Sequence, residues 1–443
     1  MPQATFNFPV GFLWGTATSS HQVEGNNRNN DWWAWEEQPG RIARDHRSGL
    51  ACDWWGGRWR EDLDRAKETG QNAHRLSIEW SRIQPTPDRW DEDALERYRV
   101  IMRGLYERGI TPMVTFFHFS LPMWLAERGG WEHAETPALF TTFVRKAAEA
   151  LKEYCTLWIT INEPNVYMYE AYVEGLFPPG KKDLQAALRV YANLLLGHAM
   201  AYHELHRLQR EARVGVAIHF RPMHPAGPLT FLDNIPARLS GQIFNEAFPL
   251  ATADGKLRLV TKTVHIPEAA HTADFLGVNY YTLDQVRFNL LRGKDFFMER
   301  FFTPGAALSD TDYLANEPTG LFEVLKWGSR RFNQPIIITE NGVEDADDHL
   351  RPRYLVEHIH QTWRAVNFNW QIKGYFHWSL VDNFEWERGW TQRFGLWGLD
   401  VDTQQRIRRK SVDLYAAICK QNGLSYETVE TYTPELISSL FPG

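Results

Sequence analysis

Eight short runs rich in β-branched and aromatic residues recur along the chain, each followed by a polar or amphipathic stretch, and this alternation narrows the possible folds more than any other feature. The runs are "FLWGTAT", "AHRLSIEW", "TPMVTFFHF", "LWITINE", "VGVAIHF", "FLGVNYY", "PIIITEN" and "GYFHWSL". Between them lie segments with apolar residues spaced by three and four, such as "EDLDRAKETG", "DEDALERYRVIMRGLYERG", "ALFTTFVRKAAEALKEY" and "YLVEHIHQTWRAVNFN". Two of these end at Gly70 and Gly109, the residue type that most readily closes a helix. Near-continuous apolar strands alternating with helices predict a parallel sheet covered on both sides, and eight repeats predict that it closes. The expected fold class is therefore α/β, a single (β/α)8 barrel over residues 1–443 with elaborated βα loops at roughly 24–60 and 282–318. No GxGxxG follows the first run, which argues against an open dinucleotide-binding sheet.

Barrel enzymes build their sites at the C-terminal ends of the strands. Those ends offer Gln22, Arg75, His118, Asn162 with Glu163, Asn279 with Tyr281, Glu340 with Asn341, and Trp378. In "TINEPNV" Pro164 disfavours the helical region for the residue before it, so Glu163 is expected to stay extended at the strand tip. Glu163 and Glu340 end strands four and seven, on opposite sides of a barrel mouth. Two facing carboxylates suit glycoside hydrolysis or divalent-metal binding. Metal binding needs further ligands, and His118 is the one clear candidate. There is no HExxH, "HELH" at 203–206 has the wrong spacing, and "DADD" at 345–348 reads as a solvated loop. Glycoside chemistry is favoured, with no metal and no cofactor expected.

Composition agrees. A net charge of −7 without a basic block leaves nothing to neutralise a phosphate backbone, so no nucleic-acid partner is expected. No segment reaches the ~18 apolar residues of a membrane span, and the N-terminus lacks the pattern of an export signal. Cys52, Cys155 and Cys419 are odd in number and far apart, which fits a cytoplasmic protein better than a disulfide framework. The 19 tryptophans, several outside apolar runs as in "NNDWWAWEE", suggest flat platforms for sugar rings.

"FPVGFLWGTATSSHQVEG", "RLSIEWSRI", "FFHFSLPMWL", "TINEPNV", "FLGVNYYT", "IITENGV" and "HWSLVDNFEWERGWTQRFGL" occur in order, and together the chain resembles family 1 glycoside hydrolases over essentially its whole length. The resemblance implies a retaining β-glycosidase with Glu163 as acid/base and Glu340 as nucleophile, their carboxyls ~5 to 5.5 Å apart. Glu163 should be protonated at rest and release that proton once Glu340 is esterified. By the same resemblance Arg75 and Tyr281 support Glu340, and Asn162 bonds the sugar 2-hydroxyl. Gln22 and Glu385 grip the distal hydroxyls, and His118 meets the 3-hydroxyl. Trp378 and Trp386 supply a platform and a further donor, and Asn279 and Phe394 complete the pocket.

A carboxylate at 385 suits a neutral sugar and would repel a phosphate, and the presence of Glu163 argues for O-glycosides over thioglycosides. The implied ligands are small β-glucosides or oligosaccharides, with galactosides and fucosides as further substrates. An endo-acting, cellulase-like barrel and a catalytically silent sugar-binding barrel are the alternatives. Phe119 and Ser120 stand where most members have Trp and Asp, which suggests a looser wall near the 3-hydroxyl. Leu314 stands where many have a Trp that stacks the leaving group, and "DWWGGRW" replaces the commoner sequence after the first loop.

Overall fold

The structure is a computed structural model and describes residues 4–227, 231–259, 262–293 and 297–442. Each of the eight apolar runs forms a strand: β1 (Leu13–Ala17), β2 (Ala73–Ser77), β3 (Thr111–Phe117), β4 (Leu157–Asn162), β5 (Arg213–Phe220), β6 (Phe275–Tyr280), β7 (Ile336–Asn341) and β8 (Ile372–His377). They pair in parallel in chain order, and β8 closes on β1. The result is the (β/α)8 barrel.

Helices α1 (Trp59–Glu68), α2 (Glu92–Glu107), α3 (Thr136–Leu151), α4 (Leu184–Leu208), α5 (Ala247–Asp254), α6 (Pro318–Arg331), α7 (Arg351–Asn367) and α8 (Lys410–Gln421) surround the sheet. The Asp91 carboxylate caps α2 by accepting from the Ala94 amide at 3.0 Å. Gly70 and Gly109 follow α1 and α2 with φ of +78° and +70°, so both segments stop where the sequence placed their ends.

The barrel interior is filled by a mixture of small and bulky apolar side chains. Ala17, Ala73, Met113, Ile159, Ala217 and Ile337 form one buried cluster that continues upward into Tyr281, Trp378 and Phe394. A larger core lies between sheet and helices, where the indole of Trp158 stacks on Phe116 with centroids 5.3 Å apart. Three strand pairs lose register near the rim: β4 with β5 between Ile159 and Asn162, β6 with β7 between Val278 and Asn279, and β7 with β8 between Ile338 and Asn341. Such irregularities re-aim side chains. Here they fall at Asn162, Asn279 and Glu340.

The chain between β5 and β6 carries elements the periodicity did not indicate, including a helix at Phe231–Gly241 and a hairpin of Lys256–Arg258 with Thr263–His265. Pro236 sits inside that helix, and Phe231, Leu232, Ile235 and Leu239 are exposed, so no clean apolar stripe marks it. The expected elaboration after β6 forms a small sheet of Met298–Phe301, Asp284–Phe288 and Met223–Pro225. Among the described residues no helix is long and apolar enough to cross a membrane.

Candidate active site

Glu163 departs from expectation. Its φ of 44° and ψ of 59° are left-handed, not extended. Its amide donates to the Ala217 carbonyl at 2.8 Å, and its carbonyl accepts from Tyr167, so it turns the chain from β4 into a short helix begun by Pro164. A non-glycine residue held this way costs of order 1–3 kcal/mol, supplied by the surrounding fold. The turn leaves the side chain in the barrel mouth. The Asn279 amide donates to Glu163 Oε1 at 2.8 Å, and His219 Nδ1 lies 3.1 Å from the same oxygen.

Glu340, at the tip of β7, is held on both oxygens. Arg75 Nη1 donates to Oε1 and the Tyr281 hydroxyl to Oε2, each at 2.6 Å. The Arg75 guanidinium is fully buried, and its Nη2 donates to Asn162 Oδ1 at 2.6 Å. Asn162 in turn donates to His118 Nε2 at 3.0 Å, so the side chains of β2, β3, β4 and β7 form one network. Gly342 follows this tip because any Cβ there would lie 2.0 Å from the Trp378 carbonyl oxygen.

Burial dominates the charges. It pushes the Glu340 carboxyl up to about 7, against the opposing pull of Arg75, with Glu163 adding to the rise. Since both Glu340 oxygens already accept from donors, Glu340 is the better-supported anion of the pair. Burial, then Arg75, holds His118 well below the usual imidazole range, so it is neutral.

These groups open into a cavity of about 420 Å³. Of the residues singled out from sequence, His118, Glu163, Tyr281, Glu340, Trp378, Glu385 and Trp386 line it. Arg75, Gln22, Asn162, Asn279 and Phe394 do not line it but stand behind the wall. The Gln22 amide donates to Asn383 Oδ1, the Phe384 carbonyl and Glu385 Oε2, so this residue braces the loop that carries Glu385. Phe394 packs edge-on to Tyr281 with centroids 6.0 Å apart.

None of the tryptophans of "NNDWWAWEE" lines the cavity, as a sugar platform would. Trp32 and Trp35 are buried, and Trp32 packs on Trp386 at 4.6 Å, backing the indole that reaches the cavity. Nor is the wall loose at Phe119, which is buried edge-on to Trp386 at 5.2 Å. Ser120 donates to Glu79 Oε2, as does Ser20, tying two rim loops to one buried carboxylate. The fifth strand supplies His219, a rim residue not singled out above. Its place one residue before the end of "VGVAIHF" was the signal for it.

Glu385 accepts from the Trp378 indole at 2.9 Å and is pushed up to about 8, chiefly by burial. Between about pH 4.5 and 8 the folded chain holds a proton there that the unfolded chain has released, so raising the pH across that window lowers stability. Glu385→Gln removes that dependence and keeps the indole's acceptor. Calorimetry from about pH 5 to 8 should show the variant's Tm gaining on the native one as pH rises; parallel curves would reject the assignment. Among the described residues no group of three or more His, Cys, Asp or Glu is arranged to hold a metal ion.

Residues 4–424 match the family described as "Glycosyl hydrolase family 1". "Beta-glucosidase A" of Thermotoga maritima is 33% identical, over 94% of this chain and 98% of its own. A solved "beta-glycosidase from Pyrococcus horikoshii" superposes with a TM-score of 0.90 at 38% identity, covering 97% of this chain and 98% of that one. A "Beta-glucosidase from Thermotoga maritima in complex with glucoimidazole" gives 0.89 at 32% identity, covering 95% and 100%.

Proposed function

The chain belongs to glycosyl hydrolase family 1 and is a glycoside hydrolase, and from that premise we propose that it is a retaining, exo-acting β-glycosidase. It removes non-reducing terminal β-D-glucosyl residues, with galactosyl and fucosyl residues as further substrates. The observation that carries this reading is the contrast between its two carboxyls. Glu340 accepts one strong donor on each oxygen, as a positioned anionic nucleophile should, whereas the hydrogen bonds to Glu163 converge on Oε1. Oε2, left out of these bonds, delivers the proton to the glycosidic oxygen.

In the first step Glu340 attacks the anomeric carbon while Glu163 protonates the leaving oxygen, giving a covalent glycosyl-enzyme. Esterification removes the charge on Glu340, so Glu163 gives up its proton readily and acts as base toward water in the second step. Arg75 and Tyr281 orient the nucleophile. Asn162 and Asn279 share its network: Asn279 holds the acid/base residue, and Asn162, at the back of the wall, ties Arg75 to His118, with the sugar 2-hydroxyl as the contact the family resemblance assigns to it. His118 Nδ1 is buried without a protein partner, and a sugar hydroxyl would satisfy it.

Trp378, Trp386 and Glu385 line the same cavity as the two carboxyls, and a single pocket walled by these side chains supports terminal rather than internal cleavage. Glu385, braced by Gln22, is the group that meets the 4- and 6-hydroxyls, and Phe394 backs Tyr281. A silent sugar-binding barrel would have no need of both carboxyls in this arrangement. We read residues 1–443 as one catalytic domain, and three buried, unpaired cysteines fit a reducing compartment such as the cytoplasm. Proton NMR during turnover of an aryl β-glucoside should reveal β-glucose first. An initial α-anomer would overturn retention.

A further inference from the structure

We propose that Glu170, which lines the same cavity as the two catalytic carboxyls, selects a neutral second sugar ring as the leaving group in preference to an apolar one; this rests on the glycosidase reading above. Glu170 lies seven residues beyond Glu163, directly after the short helix Pro164–Tyr169 that follows Glu163. Both line the same cavity. Glu170 Oε2 is buried without a hydrogen-bond partner, whereas native structures rarely leave a carboxyl oxygen so placed unsatisfied.

The surroundings decide what would satisfy it. Leu314 lines the same cavity and offers no flat face for an aryl group. Around Glu170 the wall is instead built of planar polar side chains and tyrosines. Arg388 donates to Glu387 at 3.0 Å and lies over the Tyr313 ring at 4.7 Å, and Arg300 donates to the Tyr169 hydroxyl at 3.3 Å. Guanidinium and carboxyl groups beside aromatic faces match a ring that carries hydroxyls on its edge and C–H bonds on its faces. Two guanidinium groups nearby disfavour a cationic leaving group. Burial, helped by Glu387, pushes the Glu170 carboxyl up to about 8. At neutral pH it is therefore a carboxylic acid, able to donate to one hydroxyl and accept from another.

The test compares kcat/KM for cellobiose with that for 4-nitrophenyl β-glucoside in the native enzyme, Glu170→Leu and Glu170→Gln. The cellobiose-to-aryl ratio should fall about tenfold or more in Glu170→Leu, and stay within about threefold of native in Glu170→Gln, which keeps a donor and an acceptor. An unchanged ratio in the leucine variant, or an equal loss on both substrates, overturns the proposal. So does a tenfold fall of the ratio in the glutamine variant, an outcome readable even if leucine prevents folding. A second readout is the share of glucosyl-enzyme transferred to added cellobiose instead of water, which should drop in Glu170→Leu; an unchanged share also counts against it. Failure of the underlying reading would be seen separately, as release of the α-anomer first from the aryl glucoside.

Discussion

Replacing Glu340 with glycine is expected to lower kcat/KM for an aryl β-glucoside by about 10⁴-fold or more, with turnover returning when azide is added. The expectation rests on what surrounds the carboxyl. Arg75 and the Tyr281 hydroxyl aim at its two oxygens, and the guanidinium has no access to water. Removing the side chain leaves a buried cation short of its partner, a situation that typically costs about 3–5 kcal/mol and attracts a small anion. Azide fits that void, meets Arg75, and reaches the anomeric carbon from the face the carboxylate used, so the product is the α-glycosyl azide. Glu340→Gln fills the same space and should lose activity without rescue. Unchanged turnover in the glycine variant would remove Glu340 as nucleophile.

The barrel was legible because its strands are buried on both faces, and an apolar run bounded by turn residues survives without any tertiary information. All eight runs became strands. The rim was legible for the same reason, since a polar residue ending such a run has left the core. That rule says which residues are near the mouth, not which way they face. Asn162 and Asn279 satisfy it yet stand behind the cavity wall, where the ladders shift register at β4–β5 and β6–β7, and Gln22, in the helical turn beyond β1, is drawn behind it by its bonds to Asn383 and Phe384. His219 satisfies it as well but sits in a run read only for its apolar residues.

Glu163 marks a sharper limit. A following proline disfavours the right-handed helical region, and an extended residue was the simpler inference; the left-handed alternative is imposed by the hydrogen bond of its amide to Ala217. Tryptophan content misled for a different reason. An indole that backs another indole and one that faces a ligand look alike in composition, and Trp32 belongs to the first kind while Trp386 belongs to the second.

Glu163→Gln separates proton donation from every other contribution of that position, and its expected effect depends on the leaving group. The glutamine oxygen can still accept from Asn279, so the network around Arg75 and Asn162 is preserved. What is lost is the proton. kcat/KM reports only the steps up to the first irreversible bond cleavage, so it isolates glycosylation from the base-assisted second step. For alkyl glucosides or disaccharides, whose leaving oxygens are strongly basic, kcat/KM should fall by about 10² to 10⁴-fold. For a dinitrophenyl glucoside, which departs without help, the fall should be small. Equal losses across such a series would remove the acid/base assignment. The pH profile supplies an independent check. Glu163 is one of the groups that raise Glu340, so neutralising it should move the acid limb of kcat/KM to lower pH, toward the value burial and Arg75 alone would set. A limb that stays in place would mean that Glu163 does not raise Glu340, and the division of labour between them would have to rest on geometry alone.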